Sequence, residues 1–272
     1  MADVILSPYS LGREGAGLAA GPDAIAREAF GEVATDARVA PPASQFEVGR
    51  VFDVAREIAQ RTTATGPALV LAGECSTAIG TVAGCGPREL GVVWLDAHAD
   101  LNTPDTSPSG FVDGTALATV TGRCWHALCA TVPGWAPIPD ERVVLAGARD
   151  LDDAERDALS RSPLQVIDPA PDWLAELEAG LDRLRERVGR VYLHVDLDVL
   201  DGSRLPVNAW SCPGGPGAAE LEAAVELVAQ RFRVPAAALT ALDPEVDANG
   251  EATVVAAGLA RRLVDVVDAA TG

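Results

Sequence analysis

Basic residues are few relative to acidic ones in this sequence, and long apolar runs are absent from it. Lys and Arg together number 21 against 40 Asp and Glu, so the formal net charge is −19. Nucleic acids and anionic membranes bind basic patches, and this charge balance argues against both as partners. No uncharged apolar run is long enough to span a bilayer, and the N-terminus lacks a basic region followed by a signal-type apolar stretch. We therefore expect a cytoplasmic protein.

Cysteine and histidine are also scarce. The chain has 5 Cys, an odd number scattered through 272 residues, which does not resemble a disulfide framework and fits a reducing compartment. Only 3 His are present. With 48% hydrophobic residues the chain is long enough for a substantial core, and no long linker or internal repeat divides it. These features predict one domain over residues 1–272.

Short apolar runs alternate with helical patterns along the chain. The strand-like runs are Val4 to Leu6, Ala68 to Leu71, Gly91 to Leu95, Val143 to Leu145, Leu164 to Ile167, Val191 to Val199 and Ala238 to Leu242. Helices are predicted by apolar positions at three-to-four spacing from Asp53 to Thr62, Asp172 to Val188, Gly217 to Phe232 and Ala252 to Val267. This alternation predicts an α/β fold with a mostly parallel sheet, helices on both faces and function at the carboxyl ends of the strands.

Two of these runs carry carboxylates where an ordinary core strand would bury none. The two sets are Asp96, His98 and Asp100 after one run, and His194, Asp196 and Asp198 along the other. Because side chains alternate along an extended segment, the members of each set can point the same way. So many anions would repel one another at low dielectric, and a bound cation is the economical explanation. Oxygen ligands with one or two imidazoles favour manganese or magnesium, and adjacent aspartates favour a two-metal site.

Four ordered motifs cover most of the chain. They are Gly73-Glu74-Cys75-Ser76, Asp96-Ala97-His98-Ala99-Asp100-Leu101-Asn102-Thr103-Pro104, Asp196-Leu197-Asp198-Val199-Leu200-Asp201 and, last, Glu245. In residue type, order and spacing these motifs resemble the ureohydrolases, the family of arginase, agmatinase and formiminoglutamase. The resemblance implies a three-layer α/β/α domain and a hydrolase that acts on C–N bonds in linear amidines. It also implies a homo-oligomer, a trimer or hexamer.

The same resemblance implies a binuclear manganese centre. Its ligands would be Asp96 and Asp196 as bridges, His98 and Asp198 on one ion, and Cys75 and Asp100 on the other. Most of the family has histidine in place of Cys75. A thiolate is softer than manganese prefers and must first lose its proton, so we expect weaker or pH-dependent occupancy there. The alternative is that Cys75 is a small buried residue beside a single firmly held metal.

By the same resemblance, two acidic residues take part in the chemistry. Asp100 would accept a hydrogen bond from the attacking hydroxide and pass its proton to the leaving amine. Glu245 would hold the guanidinium group through two parallel N–H bonds. The plain alternative for Glu245, which follows Asp243-Pro244, is an acidic turn. His194 is expected to support the ligands by a hydrogen bond rather than to bind a metal directly, and the remaining alternative is a core histidine.

Other residues bear on the substrate. Arginases recognise the amino acid end of arginine with side chains that fall here on Asn102, Ser109, Asp152 and Glu155. Their presence implies a small cationic guanidino amino acid rather than agmatine, which lacks the carboxylate and would leave these groups poorly paired. Asp152 and Glu155 could equally be first-turn acids that complement a helix dipole.

Two departures set the sequence apart from arginases. Phe111 and Asp113 stand where arginases usually have asparagine and a proton-shuttling histidine. Together with Cys75 and His194, they make the chain similar to the hydroxyarginase branch that serves D-cycloserine biosynthesis and cleaves Nω-hydroxy-L-arginine to ornithine and hydroxyurea. We favour that substrate. The alternatives are an ordinary arginase or another ureohydrolase in arginine metabolism, and a metal-poor family member that does not catalyse.

Overall fold

A seven-stranded, wholly parallel sheet forms the centre of the computed structural model, which describes residues 2–31 and 37–269. The strands are β1 (Asp3–Ser7), β2 (Ala68–Ala72), β3 (Leu90–Leu95), β4 (Val143–Ala146), β5 (Gln165–Ile167), β6 (Arg190–Asp196) and β7 (Arg233–Thr240). Their order across the sheet is β1-β2-β7-β6-β3-β4-β5. The α/β class and the parallel sheet predicted from the sequence are therefore confirmed.

Helices cover both faces of this sheet. Among the described residues they are α1 (Gly21–Phe30), α2 (Glu47–Thr65), α3 (Ala78–Cys85), α4 (Ala116–Val120), α5 (His126–Cys129), α6 (Asp153–Arg161), α7 (Trp173–Arg185), α8 (Ala218–Arg231) and α9 (Glu251–Asp268). One apolar core lies between the sheet and α1, α7, α8 and α9. A second core lies on the opposite face, against α2, α3 and α4. The three layers predicted by the resemblance are present.

The strands are buried on both faces, as their composition requires. Every residue of β2, β3 and β4 is buried, which is what a near-continuous apolar run does in a sheet covered on two sides. The predicted strand from Val191 to Val199 is too long, because β6 ends at Asp196. The Asp196 carboxylate accepts the backbone N–H of Asp198 and turns the chain into a short 3-10 helix over Leu197–Val199.

The strand order brings the polar motifs to one edge of the sheet. β3 and β6 are neighbours, and β6 lies beside β7, which lies beside β2. The segments that follow these four strands carry the sequence motifs. Since all the strands are parallel, their carboxyl ends meet at the same edge, where ligands bind in open α/β sheets. No helix in the two described ranges is long and apolar enough to cross a membrane.

Candidate metal centre and substrate cavity

A cavity of about 270 Å³ opens at the carboxyl ends of the central strands. Its wall combines the residues of the carboxylate motifs with a set of polar and aromatic side chains from the neighbouring loops. The lining residues include Cys75, Asp96, His98, Asp100, Asn102, Ser109, Phe111, Asp113, Asp150, Asp152, Glu155, Asp196, Asp198, Asn208 and Trp210. Apart from Glu245, every residue predicted to bind metal or substrate therefore lies on this one wall.

Asp96, His98 and Asp198 form the first of two groups of mutually close ligand atoms. The Nδ1 atom of His98 lies 3.4 Å from Asp96 Oδ1 and 3.4 Å from Asp198 Oδ2. Burial alone would lower the pKa of His98, but its hydrogen bonds to Asp198 and Asp96 raise it. Burial likewise opposes ionisation of Asp198, yet the hydrogen bond and charge of His98 lower the pKa of that carboxyl. This group offers two kinds of hard donor, carboxylate and imidazole.

Cys75, Asp96, His194 and Asp196 form the second group, with ligand atoms within 4.8 Å of one another. The thiol of Cys75 lies 2.8 Å from Asp196 Oδ2. Burial, together with the charge of Asp196, raises the pKa of this thiol well above its usual value. Asp96 belongs to both groups, which is the arrangement expected of a carboxylate that bridges two cations.

Several carboxyl groups are buried close to one another at this centre. Burial, with the nearby charge of Asp198, raises the pKa of Asp96 to about 6. Burial also raises the pKa of Asp100 and of Asp196 well above the usual range. Asp100 Oδ2 is buried and has no hydrogen-bond partner among the residues that the structure describes, and Asp100 has a φ of 52°, in the left-handed region. Buried anions of this kind require a compensating cation, so the residues present fit divalent metal ions.

The ligand residues are oriented by their own backbones and by neighbouring side chains. Asp96 Oδ1 accepts the N–H of His98 at 2.7 Å, and Asp196 Oδ1 accepts that of Asp198 at 2.8 Å. The indole of Trp94 donates to Asp96 Oδ2 at 2.9 Å. These bonds leave part of each carboxylate facing the cavity and fix its orientation, as supporting hydrogen bonds do in metal sites.

Arg149 ties together the loops that carry these ligands. Its guanidinium group donates to the carbonyl oxygens of Gly147, Asp198, Val199, Leu200, Cys212 and Pro213. The segment after β4 is thereby fastened to the segment after β6. Asn208, in the same loop, donates to Asp198 Oδ2 at 3.3 Å and to the carbonyl of Ala241 at 2.9 Å.

Asp152 and Glu155 combine the two roles considered from the sequence. Asp152 is the N-cap of α6, where it accepts the N–H groups of Ala154 and Glu155, and Glu155 returns a bond to the backbone of Asp152. Both residues also line the cavity, and Asp152 Oδ2 accepts Asn102 Nδ2 at 2.8 Å. Asn102, Ser109, Asp152 and Glu155 thus form one polar patch beside the metal centre.

Asp113 is held by the segment that carries Cys75. Its two carboxylate oxygens accept the backbone N–H groups of Cys75 at 3.2 Å and Ser76 at 2.7 Å. Burial raises the pKa of Asp113 to about 7. Because both oxygens serve the backbone, Asp113 anchors the Cys75 segment rather than standing free in the cavity.

Glu245 is the predicted site residue that the structure does not bring to the cavity. It lies outside the cavity wall, its side chain is exposed, and its backbone N–H donates to Asp243 Oδ1. That geometry is the acidic turn considered as its plain alternative. The role of Glu245 as guanidinium acceptor stays a prediction that its position here does not support.

Sequence reasoning missed three cavity residues. Asp150 lies 3.9 Å from His98 Nε2, and Asn208 contacts Asp198. Trp210 stacks on Phe111 with ring centroids 5.5 Å apart. Asp150 ends the sequence Gly147-Ala148-Arg149-Asp150, two residues before the predicted site residue Asp152, and could have been selected from that position. Asn208 and Trp210 belong to a loop without a local motif, and only the fold brings them to the site.

Comparisons with known proteins agree with this fold and site. A profile described as Arginase family matches residues 2–265. The chain is 35% identical to an arginase of Bacillus caldovelox over 198 residues, which is 70% of this chain and 66% of that protein. It is 36% identical to an arginase of Bacillus subtilis over 204 residues, 72% of this chain and 68% of the relative. A crystal structure of arginase from Bacillus subtilis superposes with a TM-score of 0.84 at 31% identity, covering 96% of this chain and 97% of the other.

The fold and the carboxylate-rich centre define the class as ureohydrolase, which confirms the resemblance found in the sequence. Within that class, the chain belongs to the arginase family. The relatives in this family are hydrolases that act on non-peptide C–N bonds in linear amidines. The narrower resemblance to the hydroxyarginase branch stays a prediction.

Proposed function

We propose that this protein is a manganese-dependent hydrolase that cleaves the guanidino C–N bond of an arginine-type amino acid. The observation that carries the proposal is the single cavity wall on which the carboxylates, His98 and Cys75 of the two ligand groups lie together with the polar patch of Asn102, Ser109, Asp152 and Glu155. A substrate with an amino acid at one end and a guanidino group at the other matches both halves of that wall. The oxygen and imidazole donors around His98 suit manganese.

The residues of the centre have distinct tasks in this reaction. When bound, divalent cations supply Lewis acidity and a nucleophile derived from water. Asp100 is the proton carrier, because burial raises its pKa and one of its oxygens has no other partner. Asp100 takes a proton from the nucleophile and delivers it to the nitrogen that leaves when the C–N bond breaks. The products are then ornithine and urea, or a urea derivative.

The polar patch orients the other end of the substrate. Asn102 and Ser109 offer groups that can hydrogen-bond an α-carboxylate, and Asp152 and Glu155 offer carboxylates to an α-ammonium group. Burial raises the pKa of Glu155, so pairing with a cation offsets a real desolvation penalty. A decarboxylated substrate such as agmatine has no α-carboxylate for Asn102 and Ser109 to bind, so the site would favour the amino acid.

We propose Nω-hydroxy-L-arginine as the preferred substrate, cleaved to ornithine and hydroxyurea. Asp113 is engaged by the backbone of Cys75 and Ser76, so it does not replace the proton shuttle of ordinary arginases. An N-hydroxyl group lowers the basicity of the guanidine and lessens the need for that shuttle. An ordinary arginase that tolerates Cys75 and Asp113 is the alternative.

Product formation from the two substrates tests this proposal. Manganese-loaded protein is offered L-arginine and Nω-hydroxy-L-arginine separately, and ornithine, urea and hydroxyurea are quantified. We expect a strong preference for the hydroxylated substrate. Efficient cleavage of arginine would favour the ordinary arginase, and a protein that forms no ornithine and binds no metal in excess cation would be a family member that does not catalyse.

Glu245 needs a separate test, because only the resemblance supports its role. If it holds the guanidinium group, Glu245→Gln lowers kcat/KM by at least about 100-fold, the loss typical of a group that stabilises the transition state. Metal content should not change. Glu251→Gln, an exposed glutamate at the start of α9, is the matched control. An active Glu245→Gln variant would restrict this residue to its turn.

A further inference from the structure

His194 occupies a position that the proposed chemistry leaves without a task. It lies on β6 and is fully buried. Its ring stacks on Trp94 with centroids 3.7 Å apart and an interplanar angle of 13°. The Nδ1 atom lies 2.8 Å from the hydroxyl of Tyr192. The ring plane is therefore fixed by stacking, and one of its two nitrogens is already paired.

The other ring nitrogen faces the Cys75 side of the metal centre. Nε2 lies 3.5 Å from Thr240 Oγ1, which itself lies 3.3 Å from Asp196 Oδ2 and 3.4 Å from Cys75 Sγ. The hydroxyl of Thr240 thus lies next to an imidazole, a thiol and a carboxylate, which are brought close together around it. A histidine whose Nδ1 is paired with an oxygen and whose Nε2 faces other ligands has the arrangement of a metal-bound histidine.

The spacing of these atoms suits a single cation. The ligand atoms of Cys75, Asp96, His194 and Asp196 lie within 4.8 Å of one another. Bonds from zinc to sulfur, nitrogen and oxygen are about 2.0–2.3 Å long, so the ligands of one such ion lie within roughly 4.6 Å of one another. Asp100, which the sequence resemblance placed on this cation with Cys75, belongs to neither group of close ligand atoms found among the described residues. His194 takes its place in the group with Cys75, and Asp100 stays available as the proton carrier.

We propose that His194 Nε2 and Cys75 Sγ bind one cation together with Asp96 and Asp196, and that this position selects zinc or another thiophilic divalent ion over manganese. Thiolate and imidazole suit Zn²⁺, Fe²⁺ and Co²⁺, whereas carboxylates suit Mn²⁺. The group of Asp96, His98 and Asp198 keeps the harder ion, so the centre holds two different metals. Binding replaces the proton of the Cys75 thiol, which is released to solvent.

This inference rests on the metal centre of the proposed function, but its test needs no substrate. The full chain is stripped with a chelator, offered one equivalent of Zn²⁺ per chain together with an excess of Mn²⁺, freed of unbound metal, and analysed by plasma mass spectrometry. We expect one zinc and one manganese per chain. Two manganese ions with no retained zinc would overturn the proposal. A chain that holds both metals but cleaves no guanidino compound would refute the function alone.

Spectroscopy identifies the ligands in the unmutated protein. X-ray absorption of chain loaded with one zinc should show one sulfur and at least one imidazole at bonding distance. The cobalt-loaded chain should show a thiolate-to-cobalt charge-transfer band. Cys75→Ser should abolish that band, and Cys85→Ser, at a half-buried cysteine away from the site, should keep it. A zinc site without sulfur, or a band that survives Cys75→Ser, would contradict the assignment.

A pair of histidine variants isolates the role of His194. His194→Asn keeps an amide near the Nδ1 position for Tyr192 and removes the Nε2 position. We expect its zinc affinity to fall at least about tenfold and its imidazole signal to decrease. His126→Asn, at an exposed histidine on α5, is the control and should match the unmutated chain. Unchanged zinc affinity in His194→Asn would reduce His194 to a positioning residue.

Discussion

Phe111 and Trp210 form an aromatic wall on the cavity, and at the scale of single residues they are the side chains best placed to act on the planar guanidino group. Phe111 lies two residues before Asp113, and Trp210 two residues after Asn208, which contacts Asp198. The stacked pair therefore lines the same cavity as the metal centre and the polar patch. Trp210 is 46% exposed, so substrate binding would cover part of its ring.

We expect Trp210→Ala to lower kcat/KM for the preferred substrate roughly fivefold, because a cation facing an aromatic ring gains about 1 kcal/mol. Trp210→Phe should retain most of the activity. Steady-state kinetics on both variants checks this, with Phe46→Ala, an exposed aromatic residue outside the cavity wall, as the control. Equal kinetics for Trp210→Ala and the unmutated chain would remove the aromatic wall from the specificity argument.

Asp152 shows how one residue can serve both a helix and a ligand. Asparagine caps helices as well as aspartate does, but it carries no charge. Asp152→Asn should therefore keep the stability of the chain while raising KM for an amino acid substrate. Asp152→Ala should raise KM and also lower the free energy of unfolding by about 1 kcal/mol. Urea denaturation and kinetics separate the two effects, and a normal KM in both variants would leave Asp152 as a cap only.

At the scale of elements, α2 and α3 are joined by a close backbone approach. A Cβ on Gly80 of α3 would lie 2.2 Å from the carbonyl oxygen of Ala55 in α2. A Cβ on Gly258 of α9 would meet no atom closer than Glu222 Oε1 at 4.0 Å. Gly80 and Gly258 both lie within helices, but only Gly258 has room for a side-chain methyl group.

Gly80→Ala should lower the free energy of unfolding by about 2 kcal/mol, because the two helices must move apart. Gly258→Ala should be neutral or stabilising by about 0.5–1 kcal/mol, since alanine loses less conformational freedom in a helix. Chemical denaturation of both variants measures the difference. A Gly80→Ala variant as stable as Gly258→Ala would mean that α2 and α3 do not pack this closely.

The sequence predicted the elements whose patterns are long and regular. The four predicted helices correspond to α2, α7, α8 and α9, each with an apolar stripe against one core. The structure extends the first of these, predicted from Asp53 to Thr62, to Glu47–Thr65. α3 escaped prediction because Ala78–Cys85 is mostly buried and nearly all apolar or small, which leaves no periodicity. Trp210 and Asn208 escaped because their loop joins the site only through the strand order.

At the scale of the whole molecule, the metal centre links stability to pH. The pKa values of Asp96 and Asp113 are raised to about 6 and about 7, above the 3.8 of an ordinary aspartate. A group whose pKa is higher in the folded than in the unfolded chain stabilises the fold. This contribution is complete below the unfolded pKa and is lost as the pH rises through the folded pKa. The raised pKa of His98 acts in the same direction above pH 6.5.

The metal-free chain should therefore lose stability between pH 4 and pH 7. The shift of Asp96 from 3.8 to about 6 alone corresponds to about 3 kcal/mol. Saturating metal should flatten this dependence, because cations compensate the ionised carboxylates. Urea denaturation at several pH values, with and without metal, measures both slopes. Asp96→Asn should show a shallower slope without metal, and a metal-free chain that gains stability over this range would refute the account.

Arg149 couples the loops at the rim of the cavity to one another. Six backbone carbonyls from three stretches of chain accept hydrogen bonds from its one guanidinium group. A carbonyl that loses its hydrogen-bond donor away from water costs free energy. No stretch can therefore unfold locally without releasing the Arg149 side chain, which holds the other stretches. Local opening is then a single event for residues 147–149, 198–200 and 212–213 rather than independent fraying. We therefore expect the backbone amides of this rim to exchange their hydrogens through one shared opening event.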